Sequence, residues 1–187
     1  MHVDKLRASL ASCPVVRFGD YEYFVHPITD GIPLGDPAML DEVLAAMASI
    51  GNWRECDKIV TAESMGFPLA AGLSLRVGRP YVFIRKRQYG LPGEVSLKQT
   101  TGYSKTDMFI NNIHPGDRLV FVDDVVSTGG TLLACVRALR SVGARVVEAI
   151  IVFDKARDLR TMEADLGLPI KTLLKVEVVR GKVVERR

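Results

Sequence analysis

The sequence predicts an α/β fold, a doubly wound parallel sheet carrying a small N-terminal appendage, on three observations. Apolar runs of strand length recur through the chain: KIVTA at 58–62, YVFI at 81–84, RLVFVDD at 118–124 and VVEAIIVF at 146–153. These runs are nearly continuous rather than alternating, as strands covered on both faces require. Amphipathic stretches of helical length separate them, and two strand ends enter their helices through glycine-bearing turns, at Gly66 and Gly129.

Taken in order, residues 3–12 read as a short helix. VVRF, a Gly19-Asp20 turn and YEYFV then read as a hairpin. The next helix has Asp36 as N-cap and Pro37 at its first position, and lines up Leu40, Val43, Leu44 and Met47 on one face before Gly51. KIVTA leads into a helix from about Gly66 to Val77, and RLVFVDD into one from about Gly129 to Val142. Between Lys86 and Thr106 the pattern dissolves into a Gly-, Pro-, Lys-, Gln- and Thr-rich loop of about twenty residues, a length that in compact domains is usually functional or disordered. The tail from Ile170, with KTLLKVEVV, Gly181-Lys182 and KVVERR, reads as a strand pair.

The 187 residues, 48% apolar and 25% charged, suit one domain spanning 1–187. A net charge of +3, with basic and acidic residues interleaved everywhere except Arg85-Lys86-Arg87, argues against a nucleic-acid partner. Cys13, Cys56 and Cys135 have no CxxC spacing and read as buried reduced thiols. No apolar run approaches the ~18 residues of a membrane span, and no secretory signal segment opens the chain. Cytoplasmic placement without membrane partners is the expectation. His26 and His114, each preceding a proline, read as structural.

The run LVFVDDVVSTGGT carries the chemistry. A strand ends in Asp123-Asp124 and turns through Ser127, Thr128, Gly129, Gly130 and Thr131 into a helix. Unpaired N–H groups and partial positive charge at a helix N-terminus make a phosphate cradle, glycine lets the backbone approach, and hydroxyls add donors. Two carboxylates at the carboxyl end of a parallel strand suit sugar hydroxyls at the place where open sheets bind ligands. The run is neither a Walker A loop nor GxGxxG.

LVFVDDVVSTGGT closely resembles the signature of type I phosphoribosyltransferases, which binds 5-phosphoribosyl 1-pyrophosphate (PRPP). The resemblance implies the type I phosphoribosyltransferase fold, Asp123 and Asp124 on the ribose hydroxyls, and Ser127 to Thr131 on the 5-phosphate. It makes AESMGFP the pyrophosphate loop, through Glu63, Ser64, Met65 and Gly66, with a strained peptide bond within Ala62 to Ser64; adenine-specific members commonly have Arg where Met65 stands. IRKRQYGLPGEVSLKQTTGYSK is similar to the mobile catalytic loop of purine members, so that Arg85, Lys86, Arg87, Lys98 and Lys105 would neutralise charge on the departing pyrophosphate.

The implied reaction displaces pyrophosphate from C1 of PRPP by a purine nitrogen, with Mg²⁺ held mainly by substrate oxygens and by Asp123 or Asp124. Asp123, Asp124, Lys86 and Arg87 are the implied catalytic contributors. Over nearly all of residues 1 to 180 the chain is similar to archaeal-type hypoxanthine/guanine phosphoribosyltransferases. Ser127 departs from well-known hypoxanthine-guanine enzymes, whose matching position is an Asp thought to accept the proton; VDDVVSTGGT itself is closer to adenine enzymes. Transfer to hypoxanthine or guanine, giving IMP or GMP in purine salvage, is the first expectation, adenine transfer the alternative, and a non-catalytic PRPP-sensing regulator a more distant one. Residues 1–35 would form part of a base-binding hood, Phe153 would stack on the base, and Lys155 would donate to a 6-oxo group. The family also implies a homodimer or higher homo-oligomer.

Overall fold

The computed structural model describes residues 2–19, 21–100 and 105–186, with the side chains of residues 97–100, 105 and 106 outside the description. The N-terminal helix is α1 (Asp4–Ser9), continued by a 3-10 turn at Leu10–Ser12. Strands β1 (Val15–Phe18) and β2 (Tyr21–Phe24) pair antiparallel with Phe18 opposite Tyr21; Asp20 of the expected turn lies outside the described residues. A single helical turn, α2 (Pro27–Asp30), follows. His26 caps it, its Nδ1 accepting from the Ile28 N–H at 3.0 Å, and Ser9 Oγ lies 2.7 Å from Nε2. This fully buried imidazole has its pKa pulled down to about 4 by burial, in keeping with a structural role.

Helix α3 (Pro37–Ile50) starts as read, Asp36 accepting from the Ala38 N–H at 2.9 Å. After it come β3 (Lys58–Ala62), α4 (Gly66–Val77), β4 (Tyr81–Ile84), β5 (Val95–Thr100), β6 (Lys105–Ile110), β7 (Arg118–Val126), α5 (Gly130–Ser141), β8 (Arg145–Asp154), α6 (Leu159–Leu166), β9 (Ile170–Val179) and β10 (Lys182–Glu185). Six strands form one sheet in the order β10-β9-β8-β7-β3-β4, parallel except for the antiparallel β10.

Side chains alternate between the two faces. Ile59, Val120, Val122, Ile150 and Val152 pack with α1, α3 and α4. Val60, Leu119, Phe121, Ala149 and Ile151 pack with α5 and the end of α6. Continuous apolar runs are therefore two interleaved core faces, each buried Leu, Ile or Phe contributing roughly 1.5–3 kcal/mol.

Two expectations need correction, and one helix went unread. Residues 86–106 are not all loop: β5 and β6 form an antiparallel hairpin, because VSLKQT and KTDMFI supply β-branched residues, and Met108 and Ile110 bury against the α5 face. The acidic pair does not terminate its strand, since β7 runs on to Val126 beside the long β8. Helix α6 was hidden by its weakly apolar sequence; Asp158 caps it, accepting from the Thr161 N–H at 3.0 Å. Cys56 and Cys135 are buried free thiols and Cys13 is half-buried.

Candidate functional site

From β3 the chain moves outward to β4, whereas from β7 it moves the other way through β8 to β9. The strand order thus reverses between neighbouring β3 and β7, and the crevice at their carboxyl ends is where open α/β sheets bind ligands. Both glycine-bearing loops read from the sequence open onto it. Their closeness is measurable: a Cβ on Gly66 would lie 1.7 Å from Thr61 Oγ1 and 3.3 Å from Asp123 Oδ1. Only glycine lets the start of α4 sit against the acidic pair.

Asp123 and Asp124 are half-buried and adjacent, the Asp124 N–H donating to Asp123 Oδ1 at 3.0 Å. Neither forms an ion pair among the described residues. Burial pushes both carboxyls above the usual range, and the Asp124 charge pushes Asp123 further. Such a pair gains from sugar hydroxyls or a cation. No group of three or more His, Cys, Asp or Glu side chains is arranged to hold a metal among the described residues. Two adjacent carboxylates are oxygen donors of the kind a hard divalent cation takes.

Beside the pair, Ser127 to Thr131 wrap a cavity of about 160 Å³ that includes Asp123 in its lining. Gly129 sits at φ 75° as N-cap of α5, and a Cβ there would meet Met162 Sδ at 2.6 Å. Leu133 N–H donates to Gly129 O at 2.8 Å, so the cradle is a helix N-terminus, where backbone N–H groups point outward. Tyr21 reaches the cradle from the hairpin, its hydroxyl 3.3 Å from Ser127 Oγ.

In the second loop the Glu63–Ser64 peptide is cis, within the segment singled out for an unusual peptide. Met65 stands at the N-terminus of α4 with no side-chain cap, and Ser64 is exposed. Glu63 joins this loop to the third: its Oε2 accepts from the Lys86 N–H at 3.0 Å and lies 4.0 Å from Arg85 Nε. Arg85 Nη1 donates to Tyr89 OH at 2.9 Å while its guanidinium lies over the Phe67 ring at 5.7 Å. Lys86 and Arg87 are exposed, with Arg87 over Tyr89 at 5.8 Å. Glu94 accepts from the Tyr89 and Gly90 N–H groups and staples this turn. The side chains of Lys98 and Lys105 lie outside the described residues.

The base-contact expectation for Phe153 is corrected. Phe153 is fully buried, held between β7 and β9 by pairing with Val125 and Leu174, and packs edge-on against Phe24 at 5.4 Å and His26 at 5.0 Å. No ring face is left for a ligand. Lys155, two residues on, does reach the space between hairpin and sheet, its Nζ donating to the Glu22 carbonyl and lying 4.0 Å from the Tyr21 ring centroid. It borders a cavity of about 700 Å³ with Tyr21, Arg157, Val176, Glu177 and Arg186. That cavity shares Ser127 and Thr128 with the cradle. Tyr21 and the β9 wall were not singled out from sequence: YEYF signals a strand but not a contact 106 residues away.

Comparison with known proteins follows the same outline. The model of the phosphoribosyl transferase domain family matches residues 34–166. The chain is 51% identical over 180 residues to the hypoxanthine/guanine phosphoribosyltransferase of Methanocaldococcus infernus, covering 96% of this chain and 98% of that protein. It is 49% identical over 182 residues to the enzyme of the same name from Methanothermobacter thermautotrophicus, covering 97% and 93%. Among solved structures, adenine phosphoribosyltransferase from Thermoanaerobacter pseudethanolicus superposes with a TM-score of 0.76 at 23% identity, covering 93% of this chain and 99% of that one. The Trypanosoma brucei adenine enzyme, in complex with AMP, pyrophosphate and ribose-5-phosphate, gives 0.71 at 20% identity, covering 91% and 79%. At such identities the structural likeness speaks for the fold.

Proposed function

The chain belongs to the phosphoribosyl transferase family, and from that premise we propose that it transfers the phosphoribosyl group of PRPP to hypoxanthine or guanine, giving IMP or GMP and pyrophosphate. The observation that carries the reading is the acidic pair and glycine cradle side by side at the strand-order reversal. The relatives' name supplies the base.

In this reading Asp123 and Asp124 accept from the ribose 2- and 3-hydroxyls, and the backbone and hydroxyls of Ser127 to Thr131 hold the 5-phosphate. Glu63 to Gly66 and Arg85 to Arg87 flank the pyrophosphate. The C1–O bond to pyrophosphate breaks ahead of formation of the bond to the purine nitrogen, so positive charge grows on the ribosyl carbon and negative charge on the leaving group. The chain's part is to hold the partners in line and to bring Lys86 and Arg87 to the leaving group. Mg²⁺ is the cofactor in this proposal: Asp123 and Asp124 would help hold it, and it would offset the negative charge of the leaving group. Ser127 has no carboxylate to accept the purine proton, so the proton leaves with the departing pyrophosphate and more of the rate rests on leaving-group electrostatics.

We also propose that residues 1–187 act as one catalytic domain, with residues 1–35 as a hood closing over the base beside Lys155. A homodimer or higher homo-oligomer is proposed on the family resemblance. The free thiols suit a reducing, cytoplasmic setting.

The test is a nucleobase panel with purified protein, Mg²⁺ and PRPP, read by pyrophosphate release. Turnover of hypoxanthine and guanine is the expected result. Turnover of adenine alone would overturn the base assignment, and none with any base would favour a PRPP-sensing regulator.

A further inference from the structure

We propose that Glu177 is a specificity-determining residue of the base pocket. Its carboxylate accepts from N1–H of a 6-oxopurine and from the 2-amino group that guanine has and hypoxanthine lacks. The proposal rests on the 6-oxopurine reading above and adds to it a discrimination between two bases.

The argument begins with strand lengths. β8 ends at Asp154, opposite Lys175, whereas β9 continues to Val179. Residues 176 to 179 therefore run past the carboxyl edge of β8, and Val176, Glu177 and Val178 become a wall of the 700 Å³ cavity. Val176 is packed into the core and Glu177 is exposed.

Most of the cavity's other charged groups already have partners. Glu22 pairs with Arg17 at 2.8 Å, Asp158 caps α6 through Thr161, and Arg186 reaches the buried Asp154 at 3.5 Å. Lys155 spends one of its three N–H donors on the Glu22 carbonyl. Glu177 and Arg157 alone among these charged lining residues have no hydrogen-bond or ion-pair partner within the described residues. Of the two, only Glu177 is an acceptor.

Hydrogen-bond complementarity then decides what it would take. The edge of guanine presents one acceptor, O6, followed by two donors, N1–H and the 2-amino group. A carboxylate can accept from both donors at once, as carboxylates do from other paired N–H groups. Lys155, on the same cavity, retains donors for O6. Adenine presents the reverse pattern, an amino donor at C6 and an acceptor at N1, and would set its N1 lone pair against the carboxylate. Xanthine places a carbonyl at C2, where Glu177 again repels it.

The experiment compares wild type, Glu177→Ala and Glu177→Gln in kcat/KM for guanine, hypoxanthine and xanthine, at saturating PRPP with Mg²⁺. Glu177→Ala is expected to lose about tenfold more on guanine than on hypoxanthine, the scale of one good paired contact, with the KM for PRPP unchanged. Glu177→Gln, nearly isosteric at an exposed position, keeps the variant folded and is expected to raise xanthine turnover relative to guanine, because its amide N–H can meet the C2 carbonyl. A merely structural role does not produce that gain. A guanine-to-hypoxanthine ratio within about twofold of wild type in active variants overturns the inference alone. Failure of the wild type to use any 6-oxopurine overturns the functional reading with it, so the two failures are distinguishable.

Discussion

The proposed phosphate cradle and the proposed base pocket share a wall at Ser127 and Thr128 but are built in opposite ways. The cradle is one covalent stretch, Asp123 to Thr131, whose geometry follows from a strand, a glycine at positive φ and a helix start. The base pocket is assembled from the hairpin, the β8 end, the overhang of β9 and the C-terminal segment. Tyr21 and Lys155 touch across more than a hundred residues. A contiguous site is fixed by backbone geometry, while a discontinuous one depends on strand register and packing. The cradle should therefore be sensitive to single polar changes in rate, and the pocket to changes in choice of base.

The largest expected effect lies in the cradle. Asp124→Asn should lower kcat/KM for PRPP by roughly 10²- to 10³-fold, about 3–4 kcal/mol, as losses of preorganised charge contacts do. Steady-state kinetics with PRPP varied checks this, and an unchanged value would remove the acidic pair from the site.

Two buried groups, Asp123 in the cradle and His26 in the core under the hairpin, should also answer pH with opposite signs. Asp123 is raised above its unfolded value, so the folded state binds more protons above pH ~4 and loses stability as pH rises through the raised pKa. His26, lowered from 6.5 to about 4, is neutral when folded; its contribution is present above pH ~6.5 and is lost as pH falls toward 4, up to roughly 3 kcal/mol. Thermal unfolding across pH 4 to 8 separates them. Asp123→Asn should flatten the loss toward neutral pH, and His26→Asn, which retains an N-cap, should flatten the loss toward acid. If both variants kept the wild-type profile, neither group would govern it.

The smallest expected effect tests the shared wall. Tyr21→Phe removes the 3.3 Å contact with Ser127 Oγ and should raise the KM for PRPP a few-fold, about 0.5–1.5 kcal/mol, with little change in folding. A larger change in the KM for base than for PRPP would assign Tyr21 to the pocket instead of the cradle.

Much of the fold was legible. The interleaved faces of β3, β7 and β8 are written as continuous apolar runs, and the starts of α3 and α5 as an Asp-Pro cap and a Gly-Gly turn. The hairpin β5–β6 was misread as loop because its strands lie among Gly, Pro and Lys residues, and only packing of Met108 and Ile110 identifies its buried face. Phe153 was misassigned for a related reason: an aromatic residue near a strand end looks the same in sequence whether its ring meets a ligand or the core.

By itself the sequence determined the two-faced parallel strands, the acidic pair and the glycine turn into α5, since each is set by neighbouring residues through backbone geometry and periodicity. Tertiary structure decided that β3 and β7 lie side by side, so that Gly66 faces Asp123, and that β9 outruns β8, so that Glu177 borders the cavity with Lys155. Those juxtapositions come from strand order and register, which arise from the packing of the whole sheet and belong to no local stretch of chain.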